Sequence, residues 1–266
     1  KENGFKTNYY ISPQIWASRE GRISKIKRDI DQMYVILPFE KDFYEKKHGY
    51  PVQFVGHPLI DAIENTPLQD NETFRKENGL DPKKPIIALL PGSRKQEVQK
   101  MLEVMLSVKK DFSEYQFVIA GAPSLSDDFY TPFLKGDKVE YVSNKTYTLL
   151  KHSHAAMVTS GTATLETALF GVPQVVCYKG NWISYQIAKR IITLDYISLV
   201  NLIMKREVVK ELIQNDLTTK QLKEELTKIV SGPERERMLS DYVELKEKLG
   251  GKGASELAAQ LIVKNV

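Results

Sequence analysis

Short apolar runs alternate with helical runs along this chain, which predicts an α/β fold built on doubly wound parallel sheets. Three observations carry the prediction. The runs Ile86–Leu90, Gln116–Ala120, Ala155–Val158 and Gln174–Cys177 lack the apolar/polar alternation of a half-solvated strand, as strands buried on both faces do. Segments of helical period separate them, the pattern of strand–helix–strand units. Two of the runs lead directly into glycine-containing turns that open helices, at Pro91-Gly92-Ser93-Arg94 and Thr159-Ser160-Gly161-Thr162.

The remaining elements follow from the same signals. Further strands are expected at Thr7–Ile11, Met33–Leu37, Val52–Val55 and Val139–Val142. Helices are expected at Lys41–His48, Asn71–Asn78, Val98–Asp111, Thr146–His152, Thr162–Phe170, Trp182–Ile192, Glu207–Gln214, Thr219–Ser231, Glu234–Leu249 and Ala254–Lys264. A boundary is expected at Gly56-His57-Pro58, because the polar stretch Glu64–Pro85 precedes a fresh strand at Ile86. Residues 1–56 then read as the remainder of one Rossmann-like domain, 57–235 as a second one, and 236–266 as helices that can pack back on the first. Lys1-Glu2-Asn3-Gly4 reads as the end of a helix, so a preceding segment is expected.

Composition narrows the function classes. The 266 residues are 42% hydrophobic and 27% charged, an ordinary globular balance. A formal charge of +4 is too small to argue for nucleic acid and is compatible with an anionic membrane surface. The single cysteine, Cys177, sits in an apolar run and reads as a small buried hydrophobe. It cannot form an internal disulfide, which points to a reducing compartment. No apolar stretch reaches the roughly 18 residues that span a bilayer, and no signal peptide is visible.

The chemistry is expected at the two turns. In open α/β sheets, ligands bind outside the carboxyl ends of the strands. Gly92 lets backbone approach a ligand, and the planar fork of Arg94 matches phosphate oxygens. A solvated Arg94, or one paired to Glu97, is the alternative reading. In the second turn Ser160 or Thr162 can cap the helix, whose exposed N–H groups and dipole favour an anion. Glu166, in the first turns of that helix, can reach a ribose diol or simply complement the dipole. The two turns together predict a nucleotide diphosphate site. There is no G-x-G-x-x-G and no G-x-x-x-x-G-K-[ST], which disfavours dehydrogenases and P-loop NTPases. His48, His57, His152 and His154 show no metal-ligand spacing.

With those residues in view, an ordered set of blocks resembles the lipid-A-disaccharide synthases. The blocks are Tyr10-Ile11-Ser12-Pro13-Gln14-Ile15-Trp16-Ala17, Leu37-Pro38-Phe39-Glu40, Phe54-Val55-Gly56-His57-Pro58-Leu59-Ile60-Asp61, Leu89-Leu90-Pro91-Gly92-Ser93-Arg94, Ser160-Gly161-Thr162-Ala163-Thr164-Leu165-Glu166 and Tyr196-Ile197-Ser198-Leu199-Val200-Asn201-Leu202. Ser18 and Val200 stand where the family pattern has Trp and Pro. The resemblance implies the GT-B fold, two Rossmann-like domains of which the N-terminal one is incomplete here. It implies an inverting transfer from UDP-2,3-diacylglucosamine to 2,3-diacylglucosamine 1-phosphate (lipid X), releasing UDP, with no cofactor or essential metal. It places the work in the cytoplasm, peripheral on the inner face of a Gram-negative inner membrane, and is compatible with a homodimer.

Carried onto this sequence, the resemblance gives each residue a role. Arg94 stabilises the departing diphosphate beside Gly92 and Ser93. Ser160, Gly161 and Thr162 offer donors to the phosphates, with Thr164 in the same turn. Glu166 holds the ribose, and Asn201 faces the donor pocket from a loop, with Tyr178 nearby. Ser12, Gln14 and Trp16 line the opposite wall. Trp16 and Trp182 are either buried aromatics or acyl-chain contacts. Lys179, Lys189, Arg190, Lys205 and Arg206 are either solvated cations or lipid-phosphate contacts. Inverting transfer needs a general base; the resemblance implies an Asp ahead of Ser12, outside this sequence, and Glu40 reads as a capping partner instead. Two readings of different class follow: part of a complete transferase, or a nucleotide-binding module without turnover. A peptidoglycan N-acetylglucosaminyltransferase and a UDP-N-acetylglucosamine 2-epimerase are disfavoured by the Ser12–Trp16 block.

Overall fold

The computed structural model describes residues 1–134, 139–159, 161–180 and 195–264. The expected helix Trp182–Ile192, with Lys189 and Arg190, lies outside them, as does Ser160. The described residues form two compact units. One comprises Lys1–Thr66 and the chain from Val243 onward. The other holds the residues between Pro67 and Tyr242, except Asp195, which groups with the first.

The first unit is built on a parallel sheet of order β1-β2-β3, with β1 at Asn8–Tyr10, β2 at Gln32–Val35 and β3 at Gln53–Phe54. Helix α1 (Ile23–Asp29) joins the first two strands. Helix α2 (Pro38–Asp42), continued by a π turn over Phe43–Lys47, joins the second and third. Because alternate strand residues point to opposite faces, β2 divides its side chains between two cores. Met33 and Val35 pack with Ile15, Ile26, Tyr44, Tyr50 and Val52. Tyr34 packs with Val55 and Ala258. Ala258 lies on α12 (Ala254–Lys264), the last helix, which covers that second face with Leu261 and Ile262.

The sequence boundary at Gly56-His57-Pro58 proves to be a helix start, α3 (Pro58–Asn65). Proline at the first helical position needs no N–H there and has its φ already set. Gly56 takes φ +86°, where a Cβ would stand 3.2 Å from the Leu249 carbonyl oxygen. That close approach lets the His57 N–H donate to the same oxygen at 3.0 Å. Asp61 in turn accepts from the Gly253 and Ser255 N–H groups at 2.7 and 3.2 Å, satisfying the start of α12.

The second unit holds a parallel six-stranded sheet of order β6-β5-β4-β7-β8-β9. Its strands are β4 (Ile86–Leu90), β5 (Gln116–Gly121), β6 (Glu140–Ser143), β7 (Ser153–Thr159), β8 (Gln174–Tyr178) and β9 (Lys210–Ile213). Between them run α5 (Lys95–Ser107), α6 (Asp127–Leu134), α7 (Thr146–Lys151), α8 (Thr162–Leu169) and α9 (Leu199–Met204). After α4 (Asn71–Glu77) at the front come α10 (Thr219–Val230) and, at the back, α11 (Pro233–Lys248), of which the residues up to Tyr242 belong to this unit. All five residues of β4 and all six of β5 are buried, as their apolar runs demand. Ile86, Ala88 and Leu90 face one core with Val118, Ala120, Val142, Ala156 and Val158. Cys177 is also buried, and burial pushes its thiol up to about 12.

An expectation needs correction here. Glu207–Gln214 is not a helix. Its centre is β9, paired in parallel with β8 from Val175↔Lys210 to Tyr178↔Ile213. Lys, Glu and Leu favour helix locally, but here the open edge of β8 takes up the backbone and buries Leu212. Helices α1, α3, α6 and α9, each six to eight residues long, are further elements that the sequence reading does not anticipate.

Candidate functional site

The strand order reverses direction beside β4. The chain proceeds from β4 to β5 and β6 on one side, then returns to place β7 on the other. The register runs from Ile87↔Ala155 to Leu90↔Val158, so β4 and β7 end side by side. The turns that leave those two ends therefore lie at the reversal of strand order, where open α/β sheets bind ligands. The turns are the two singled out in the sequence.

The first turn is shaped around Gly92, at φ +103°. A Cβ built there would lie 2.6 Å from Glu97 Oε2, so glycine meets both the backbone angle and the close side chain. Ser93 is fixed from the next loop, where Ser124 Oγ donates to its carbonyl at 3.0 Å. Arg94 is the N-cap residue of α5, in an extended conformation and with no side-chain cap bond. It is exposed, and among the described residues it forms no ion pair, so the pairing with Glu97 is not made.

The second turn centres on Gly161, at φ +126° and ψ −158°, which is the N-cap residue of α8. The capping expectation for Thr162 is corrected: Thr162 is the first helical residue, and the N-cap Gly161 has no side chain to accept from the leading N–H groups. Thr164 is fully buried and its hydroxyl donates to the Gly161 carbonyl at 2.8 Å, bracing the turn from inside. Thr159, which ends β7, carries a buried hydroxyl with no hydrogen-bond partner among the described residues. Glu166 is half-buried one turn further on. Burial raises its carboxyl above the usual range, opposed by a 2.9 Å hydrogen bond from Tyr147 Oη to Oε1. Tyr178 closes β8, its phenol folded so close to Gly180 that a Cβ there would stand 2.7 Å from Oη.

Asn201 is a second correction. It lies in helix α9, not a loop, and is completely buried. Its Nδ2 donates to the Val209 carbonyl at 2.8 Å and to Glu211 Oε1 at 2.9 Å. Its Oδ1 accepts from the Val208 and Val209 N–H groups at 2.8 and 3.0 Å. The Glu211 carboxylate also takes the Ile197 and Ser198 N–H groups, both at 2.9 Å. The amide is therefore spent on tying α9 to β9, and none of it is left for a ligand. Nothing in the residue's spacing signalled this, because its partners belong to the strand that reads as a helix.

In the first unit a single carboxylate gathers several of the expected residues. Glu40 is 1% exposed. Ser12 Oγ and Trp16 Nε1 donate to its Oε1 at 2.6 and 3.1 Å, and the Ile36 and Leu37 N–H groups donate to Oε2 at 3.2 and 2.9 Å. The capping reading of Glu40 accounts for half of this. The other half binds the turn after β1 to the turn after β2. The polar atoms of Ser12 and Trp16 thus face Glu40, while Gln14 is exposed. Ile11, just past β1, takes φ +63°. That angle is strained for a β-branched residue, and it is held beside this knot. Lys179 and Lys205 are exposed, and Arg206 pairs with Asp241 at 2.8 Å. Among the described residues no helix is long and apolar enough to cross a membrane, and no three His, Cys, Asp or Glu side chains gather as metal ligands.

Solved structures place this architecture. The crystal structure of WaaG, a glycosyltransferase of lipopolysaccharide biosynthesis, superposes with a TM-score of 0.55 at 13% identity, over 96% of this chain and 74% of that one. The UDP-GlcNAc 2-epimerase from Neisseria meningitidis, bound to UDP-GlcNAc, superposes with a TM-score of 0.65 at 14% identity, over 99% of this chain and 71% of that one. At such identities the likeness is one of fold, and the fold is that of the GT-B glycosyltransferases. The sequence is more specific. The model of the lipid-A-disaccharide synthetase family matches residues 1–265. A lipid-A-disaccharide synthase from Trichlorobacter lovleyi is 39% identical over all of this chain and 70% of its own length. The chain belongs to the lipid-A-disaccharide synthetase family, glycosyltransferases that form the lipid A disaccharide.

Proposed function

We propose that the second unit is the donor-binding domain and holds the diphosphate of UDP-2,3-diacylglucosamine between the Gly92 and Gly161 turns, with lipid X as acceptor. The observation that carries this reading is the adjacency of the two turns at the reversal of strand order. The N–H groups at the start of α8, behind a glycine N-cap, supply donors on one side. Arg94, exposed and without an ion pair among the described residues, supplies a guanidinium on the other and stabilises the charge that develops on the departing UDP. Gly92, Ser93, Gly161 and Thr162 shape the phosphate contacts. Glu166 accepts from the ribose hydroxyls, and Tyr178 borders the pocket. Both substrates carry acyl chains, so the enzyme works at a membrane surface, and exposed Lys179 suits an anionic one. Glu40 is not the general base, since four donors already occupy its oxygens.

Calorimetric titration with UDP tests the diphosphate assignment. Arg94→Ala is expected to weaken UDP binding by about 1.5–3 kcal/mol through lost charge-assisted hydrogen bonds, with the unfolding midpoint unchanged. UDP affinity equal to wild type in a folded Arg94→Ala protein would remove Arg94 from the site. Comparing diacylated with unacylated UDP-glucosamine as donor tests the substrate class: a preference for the unacylated sugar would exclude the lipid donor.

A further inference from the structure

We propose that Tyr147 is the positioning residue for Glu166, setting the orientation of the carboxylate that receives the ribose. This inference rests on the reading of Glu166 given above. The two residues are 19 apart in sequence and come from different strand–helix units. Tyr147 is the second residue of α7, after β6, whereas Glu166 is in α8, after β7. The phenol donates to Oε1 at 2.9 Å. Oε2 accepts from no described residue, so one oxygen is anchored and the other is left for a ligand hydroxyl.

Tyr147 is itself held in place. Its ring packs at 5.3 Å from that of Phe170, which lies one helical turn beyond Glu166 and on the same side of the helix. The start of α7 is pinned by Lys145, whose ammonium meets Glu77 at 2.9 Å, and the next three residues of the helix, Thr148, Leu149 and Leu150, are buried. A phenol fixed in this way restricts the Glu166 side chain to one orientation before ligand arrives, which saves ordering entropy on binding. It also acts on charge. Burial favours the neutral acid, and the phenol O–H favours the carboxylate that can accept from a diol. Among the described residues, burial and Tyr147 are the influences acting on Glu166.

The test uses the 266-residue chain with UDP and 2′-deoxyuridine 5′-diphosphate as probes, and wild type, Glu166→Gln and Tyr147→Phe as proteins. Wild type is expected to prefer UDP, and Glu166→Gln to lose that preference. Tyr147→Phe is expected to weaken UDP roughly three- to tenfold and to leave the deoxynucleotide nearly unchanged, which also shows that the variant is folded. Without the phenol the carboxyl takes up its proton at higher pH. The fall of UDP affinity on acidification should therefore begin at higher pH in Tyr147→Phe than in wild type. Equal weakening of the two nucleotides, or a wild-type preference and pH profile in Tyr147→Phe, would reduce Tyr147 to a packing residue and overturn the inference. Wild-type protein that does not distinguish the nucleotides would instead overturn the role of Glu166, and the Tyr147 inference with it.

Discussion

Asn201→Asp is expected to lower the stability of the second unit by about 3–5 kcal/mol, a large part of what holds a domain together. The substitution changes one atom type and almost no volume. It removes the amide donor that serves the Val209 carbonyl and Glu211 Oε1. It puts a buried carboxylate against both of these acceptors. The bonds from the Val208 and Val209 N–H groups survive, so the loss reports the donor side of the network alone. Urea unfolding measures it directly, and the deficit should shrink as pH falls, because protonation restores one donor. The alternative, an Asn201 that faces the nucleotide, predicts weakened UDP binding at unchanged stability. An unfolding midpoint equal to wild type would show that the clasp between α9 and β9 is not made in solution.

A second large effect is expected on acidification, from His57. Its Nδ1 accepts the Leu59 N–H at 3.2 Å and so caps α3, which requires a neutral ring with the proton on Nε2. Burial lowers its pKa from 6.5 to about 4. The folded value lies below the unfolded one, so the unfolded chain binds the extra proton between those two values. The contribution is complete above pH 6.5 and is lost as pH falls toward 4. The full shift corresponds to about 3 kcal/mol of stability. His57→Asn keeps an acceptor for the Leu59 N–H and has nothing to titrate. The variant should hold its stability between pH 6.5 and 4 better than wild type by about that amount, as read by denaturant midpoints across the range. Parallel loss in the two proteins would mean that His57 is not held neutral.

The two turns were legible because their signals are local. A buried strand, a glycine and a helix start follow one another within about ten residues, and each leaves its mark on composition. The eight expected strands are all present for the same reason, with ends shifted by one or two residues. The knot at Glu40 was half legible, since the contact with Leu37 is three residues away, whereas Ser12 lies 28 residues away and leaves no periodic trace. Tyr147 and the four bonds of Asn201 were not legible at all. The block around Asn201 announced a family, but not that its amide serves the fold.

The sequence by itself determined the class of fold, the carboxyl-end turns and, through its ordered blocks, the family. Each of these depends on neighbours along the chain. Only the tertiary structure decided which polar groups are spent on internal partners. It spent Asn201, Ser12 and Trp16 on internal acceptors and donors, made β9 from residues that favour helix, and gave Arg94 no ion pair and one oxygen of Glu166 no donor among the described residues. The physical reason is that a buried polar group must find a partner wherever packing brings one. That partner is supplied by strand order and helix placement, which local propensity does not encode.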